Sequence, residues 1–297
     1  MGPTGVGKTD LAIALSKIIP SRIISVDSVQ IYKKMDIGSG KPSNNILKKF
    51  PHKLVNIIEP WETYSAALFT VNAAKEINSS YELQQISLLV GGTMLYFRSL
   101  VEGISKMPKA NAQIRKRIED EARKTGWSSL HERLAQVDSE SASRIHPNDP
   151  QRILRALEVY ELSSKTITEW QRASKVPSGQ KVLQFAIRPE SRELLRKKIE
   201  DRFLKMLDKG LIKEVENLLR METMDRDKTS MRSVGYRQVV EHLAGEISYE
   251  EMVYRAVNAS RQLAKRQMTW LRKWKELVWV SSEIESSLKE IKSRIKV

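Results

Sequence analysis

Residues 2–9 read Gly2-Pro3-Thr4-Gly5-Val6-Gly7-Lys8-Thr9, and the apolar run LAIAL (11–15) follows almost at once. The eight positions fit G-x-x-x-x-G-K-[ST], the nucleotide-binding (ATP-binding) phosphate loop. Glycines let successive N–H groups curl around phosphate oxygens; Lys8 neutralises the outer phosphate, and the Thr9 hydroxyl is the expected Mg²⁺ ligand. Residues 11–15 supply a first helix whose N-terminal dipole helps hold the anion. A fortuitous glycine-rich turn would rarely match every position and also open a helix. A phosphate loop normally follows a buried strand, and only Met1 precedes Gly2. That strand is therefore expected upstream, with the sequence truncated. A stop codon immediately before Met1 in the genomic DNA would refute this.

Outward from the loop, RIISVD (22–27) is a short apolar run ending in a carboxylate, and LVNII (54–58) and ISLLV (86–90) are two more strand candidates. The last ends in Gly91-Gly92 and opens a helix from Thr93. Strand–helix alternation predicts an α/β fold, a P-loop NTPase-like parallel sheet flanked by helices. From about Pro108 the pattern is helical only. Ile114, Ile118 and Ala122 recur at helical spacing, and Asp149-Pro150 is a start signal in which Asp caps and Pro fits the first turn. The polar stretch 173–180 reads as a linker. A strand at 182–187 then returns, and Leu195, Ile199, Phe203 and Met206 mark an amphipathic helix that Gly210 ends. The predicted organisation is a catalytic core of residues 1–107 and 179–297, interrupted by an all-helical insertion at 108–178. The last residues, KEIKSRIKV, read as a solvated helix end.

The 297 residues are 40% hydrophobic and 29% charged, which excludes a disordered chain. No apolar run approaches the roughly 20 residues of a membrane span, and loop chemistry directly after Met1 does not read as a signal peptide. A cytoplasmic protein is expected. The absence of cysteine excludes disulfides, thiolate catalysis and thiolate zinc sites. The net charge of +15 is uneven: residues 1–105 contribute +3 and residues 106–297 contribute +12. Residues 252–275 hold seven basic side chains and no acidic one. On a helix, Met252, Ala256, Leu263, Trp270 and Trp274 would share an apolar stripe, with Arg261, Lys265 and Arg272 opposite. A one-sign face suits a phosphate backbone better than a merely solvated surface.

The loop alone does not choose the reaction. Asp27 suits either a Mg²⁺ ligand or a general base. The strand at 86–90 ends in Gly-Gly-Thr93, where an ATPase often carries an acidic residue, and a guanine-reading N-K-x-D is absent. Group transfer fits better than hydrolysis, with a small-molecule kinase still open.

GPTGVGKT (2–9), ISVDSVQIYKKMDIGSGKPS (24–43), LVGGTMLYF (89–97), RIHPNDPQRILRALEVY (144–160) and SVGYRQ (233–238) together resemble bacterial tRNA dimethylallyltransferases, in the same order along nearly the whole chain. The resemblance implies transfer of a dimethylallyl group from dimethylallyl diphosphate to the exocyclic amine of the adenosine just 3′ of the anticodon, in tRNAs reading codons that begin with U. It implies that residues 2–9 hold the diphosphate, with Mg²⁺ on Thr9. Asp27 would accept the proton from the amine of a flipped-out adenine, Thr93 would sit beside that base, and Arg232 would stabilise the departing diphosphate. Segments that meet the tRNA anticodon stem-loop would be Asp27, Ser28, Val29 and Gln30; Thr93; Arg115; Gln151, Arg152, Ile153, Leu154 and Arg155; Arg232, Ser233, Val234, Gly235, Tyr236 and Arg237; and Lys265, Arg266, Gln267, Met268, Thr269, Trp270, Leu271 and Arg272. The insertion would clamp the anticodon stem, and a monomer is expected.

Read from the residues alone, Arg152 and Arg155 share a helix face that suits phosphates, although Arg155 could equally pair with Glu158. Three readings compete with this one, the first of them with the same prenyl chemistry. An adenylate isopentenyltransferase needs neither insertion nor basic half, a P-loop kinase needs ATP, and a non-catalytic RNA-binding protein has no use for Asp27 beside an intact Lys8-Thr9.

Overall fold

The structure is a computed structural model that describes residues 1–103, 105, 107–173 and 182–295. The chain divides into two compact units, Met1–Arg98 with Lys181–Val297, and Ser99–Gln180.

In the first unit the β-branched run after Pro20 forms β1 (Ser21–Val26), parallel on one side to β2 (His52–Lys53) and on the other to β3 (Ile86–Gly91). Helix α1 (Lys8–Ser16) covers one face. Leu11, Leu15 and Ile19 cluster there with Ile86 and Leu88. The short α2 (Asn44–Lys49) is surface structure. Helix α3 (Ala66–Glu82) covers the other face, where Arg22 forms an ion pair with Glu76 at 2.8 Å and donates to the Ser79 hydroxyl at 3.0 Å. Beyond β3 lies α4 (Met94–Glu102). The expected strand at 54–58 does not form. Leu54 and Asn56 adopt left-handed φ of 61° and 57°, leaving only an isolated bridge between Tyr32 and Ile58. Asn56 takes that conformation while its side-chain oxygen accepts from the Lys41 ammonium at 2.5 Å.

The second unit is helical among its described residues: α5 (Ala112–Thr125), α6 (Trp127–Val137), α7 (Ser139–Arg144), α8 (Pro150–Ser163) and α9 (Ile167–Ala173). Asp149 caps α8 through Arg152 N–H with Pro150 in the first turn, as its sequence signal predicts. Ile118, Leu130, Leu134, Ile153 and Leu157 are fully buried in its core, each contributing about 1.5–3 kcal/mol. The unit begins at Ser99, ahead of the change of pattern at 108. Of the expected linker 173–180, all but residue 173 lies outside the described residues.

The return to the first unit brings β4 (Phe185–Ile187) and α10 (Arg192–Asp208). After these come α11 (Leu211–Leu219), α12 (Tyr236–Leu243), α13 (Tyr249–Arg272), β5 (Val278–Val280) and α14 (Ile284–Arg294). Strands β4 and β5 are parallel, and Met1 joins β4 in the same sense. Its N-terminal nitrogen donates to Phe185 O at 2.7 Å, and Ile187 N–H donates to Met1 O at 3.0 Å. The loop of residues 2–9 therefore springs from a backbone paired with β4. Helix α14 packs Leu288 and Ile291 against α1, while Lys289, Lys292, Ser293 and Arg294 are exposed at its end. Among the described residues, no helix is long and apolar enough to cross a membrane.

Candidate active site

A cleft of about 940 Å³ opens in the first unit, above the carboxyl ends of β1 and β3 and beside the loop of residues 2–9. The loop turns on Gly5 and Gly7, with φ of 80° and 93°, a region that costs other residues strain. Gly7 is the N-cap of α1, and no side chain caps the helix, so first-turn N–H groups stay open to an anion. Lys8 folds its ammonium onto Pro3 O at 2.7 Å. Burial, and after it the positive charge of Arg202, pushes the Lys8 pKa down to about 8, while Asp27 pulls it up.

Arg202 was not anticipated from the sequence. Its guanidinium donates to the Thr4 hydroxyl at 3.2 Å and lines the cleft. Burial lowers its pKa and Asp27 opposes that shift. The signal was present: at the spacing Leu195, Ile199, Arg202, Met206 the arginine stands inside the apolar stripe of α10. A cation there is expensive unless an anion meets it.

Asp27 follows β1 and accepts Val29 N–H at 2.9 Å and Gln30 N–H at 3.2 Å on one oxygen. Among the described residues, no other hydrogen bond reaches its carboxylate, and the second oxygen has no hydrogen-bond partner there. The Thr93 hydroxyl accepts Ser28 N–H at 3.1 Å, and Thr93 N–H donates to Val26 O. Thr93 thus stitches the ends of β3 and β1 together beside Asp27. Gln267 makes the matching tie, accepting Thr4 N–H and donating to Gly92 O, both at 2.8 Å.

The rim is basic. Arg232, Ser233, Val234 and Gly235 line the cleft, and so do Ser260, Leu263, Arg266 and Trp270 of α13. Arg232 is mostly exposed and pairs with Asp227 at 3.1 Å. The stripe of α13 is rotated from the one expected. Met252, Ala256, Ala264, Gln267 and Leu271 are buried, while Trp270 stays 37% exposed and turns with Leu263 toward the cleft.

The IPP transferase family model matches residues 30–274, and the isopentenyl transferase family model matches residues 1–56. The chain belongs to the IPP transferase family. The full-length tRNA isopentenylpyrophosphate transferase of Bacillus halodurans is 30% identical, with a TM-score of 0.73 over 99% of this chain and 93% of that one. The tRNA delta(2)-isopentenylpyrophosphate transferase of Staphylococcus epidermidis is 33% identical, with a TM-score of 0.71 over 99% and 97%. A eukaryotic dimethylallyltransferase acting on tRNA shares the fold, with a TM-score of 0.83 at 23% identity, over 99% of this chain and 76% of that one. The chain is accordingly a tRNA isopentenylpyrophosphate transferase, a prenyltransferase.

In this IPP transferase several residues expected to face tRNA have buried side chains. Ile153 and Leu154 lie in the helical core, Tyr236 and Leu271 in the first unit, and Gln267 braces the loop of residues 2–9. Apolar side chains at core-facing helical positions gain more from burial than an RNA surface returns. In the second unit Arg115 and Arg155 are turned onto Glu158, whose side chain is wholly inaccessible, at 2.8 and 2.6 Å. These arginines hold a buried carboxylate, whereas Arg152 keeps 69% of its side chain exposed beside Asp149.

Proposed function

We propose that this IPP transferase uses dimethylallyl diphosphate to prenylate N6 of the adenosine 3′-adjacent to the anticodon, in tRNAs reading codons that begin with U. The observation that carries the proposal is one cleft in which a half-free carboxylate, Asp27, shares the field of two half-buried cations, Lys8 and Arg202. The adenine amine attacks C1 of the dimethylallyl group as the C1–oxygen bond breaks. The electron pair of that bond leaves on diphosphate, which Lys8, Arg202 and the open N–H groups of a P-loop NTPase-like loop receive. Asp27 takes the proton from N6, which suits an aryl amine too weakly basic to attack without one. Thr93 holds the turn that carries this base. The exchange balances: one C–N bond for one C–O bond, and one proton to the carboxylate.

Thr9 fits Mg²⁺, because it offers a hard oxygen in the same cleft as the phosphate loop and this ion takes few protein ligands. A bound Mg²⁺ supplies charge neutralisation for the leaving diphosphate. An adenine must leave its stack to reach Asp27, and exposed Trp270 with Arg266 and Arg232 at the rim suits an unstacked strand. The anticodon stem-loop is the proposed partner of that rim and of Gln151 and Arg152, and the enzyme is proposed to act as a cytoplasmic monomer.

The test is direct. The protein is incubated with unmodified tRNA, Mg²⁺ and dimethylallyl diphosphate, and the tRNA is digested for mass spectrometry. Prenylated adenosine at the predicted position is expected. Product on AMP but not on tRNA would overturn the tRNA reading. Two further outcomes separate the arginines. Arg152→Ala lowers the salt slope of tRNA binding by about one and leaves thermal unfolding unchanged. Arg155→Ala lowers the unfolding temperature instead. Lys8→Ala weakens diphosphate binding, measured by calorimetry, and wild-type affinity would remove Lys8 from the cradle.

A further inference from the structure

Glu214, on α11, lies outside the cleft lining, yet its carboxylate is the most heavily bonded acceptor near the cleft. One oxygen accepts Asp36 N–H at 2.8 Å and Ile37 N–H at 2.7 Å. The other accepts Gly38 N–H at 3.1 Å and the Tyr236 hydroxyl at 2.7 Å. Three successive N–H groups form a small anion nest, and the protein's own carboxylate fills it. Burial, then the negative charge of Glu214, raises the Tyr236 pKa and keeps that hydroxyl a donor.

The held loop leads straight to the cleft. Lys41 pins its far end, donating to Tyr32 O at 2.9 Å and to Asp36 Oδ1 at 2.6 Å. Between the two anchors, Gly40 lies flat against Arg202: a Cβ there would stand 1.7 Å from a guanidinium nitrogen. Arg202 sits on α10, and only Lys209 and Gly210 separate that helix from α11. Glu214 therefore ties the wall behind Arg202 to the helical pair that carries Arg202. Its fourth bond fixes Tyr236, the first residue of α12, next to the Arg232–Gly235 rim.

We propose that Glu214 is a positioning residue for the diphosphate site, acting through the 36–40 loop to hold the Arg202 guanidinium against Thr4. The proposal rests on the reading of Arg202 as a diphosphate ligand. Glu214→Gln keeps the shape but turns one acceptor oxygen into a donor facing N–H groups. The expected result is a rise of about tenfold in KM for dimethylallyl diphosphate, with kcat and tRNA affinity within twofold. In an Arg202→Ala background the same substitution should add nothing, because both changes act on one contact.

Independent, multiplicative effects would overturn the proposal, as would an unchanged KM for Glu214→Gln while Arg202→Ala alone raises it. An unchanged KM for Arg202→Ala alone would overturn the reading of Arg202 itself, and this proposal with it. Should Glu214→Gln not fold, Tyr236→Phe, which removes one of the four bonds, is measured in the same cycle with the same expectations.

Discussion

Asp27→Asn abolishes most of the transfer while leaving both substrates bound. Asparagine keeps an oxygen to accept Val29 and Gln30 N–H, so the turn after β1 survives. What it loses is the capacity to accept a proton, and general-base assistance of this kind contributes typically about 10²–10⁴-fold. Single-turnover measurement with saturating tRNA should show a rate lower by that factor, with tRNA affinity and KM for dimethylallyl diphosphate within about twofold. A rate within threefold of wild type would remove Asp27 as the base. An equal loss through weakened tRNA binding would make it a contact instead.

Glu158→Ala should have the largest effect on stability. The Glu158 side chain has no solvent exposure and accepts from Arg115, Arg155 and Asn111 N–H. Removing one side of a buried ionic cluster costs about 3–5 kcal/mol because the partner charges lose their compensation. Both arginines keep part of their surface in water, which places the loss at the lower end of that range. Hydrogen exchange of the full-length protein should show faster opening in α5 and α8 than in β1 and β3, and equal protection would overturn the assignment.

The same cluster sets a pH dependence. Burial alone would raise the Glu158 pKa, but the hydrogen bonds from Arg115 and Arg155 outweigh it and hold the carboxyl below its ordinary value. Its contribution is therefore complete above the unfolded carboxyl pKa of about 4.3 and is lost as pH falls through the folded one. Acid should loosen the helical unit, and Glu158→Ala should flatten that loss.

The amino-acid order alone determined the parts whose physics is local. Gly2 to Thr9 declared a tight turn that opens a helix, because glycines at that spacing supply the positive φ that other residues take only under strain. RIISVD and ISLLV declared parallel strands through β-branched runs that end at the site, and Asp149-Pro150 declared a helix start through capping. The apolar pattern of residues 54–58 reads as a strand because it cannot reveal that Leu54 and Asn56 take left-handed φ. The buried stripe of α13 is hidden from the sequence for a related reason: periodicity finds apolar faces but not which one meets the core and which the cleft. Arg202, Glu214 and the cluster around Glu158 depend on contacts between distant residues. Thr4 and Arg202, or Asp36 and Glu214, meet only after the chain has returned through β4, α10 and α11. A charged side chain becomes a ligand, a clamp or a surface ion according to what it is buried against, and that is settled by tertiary packing.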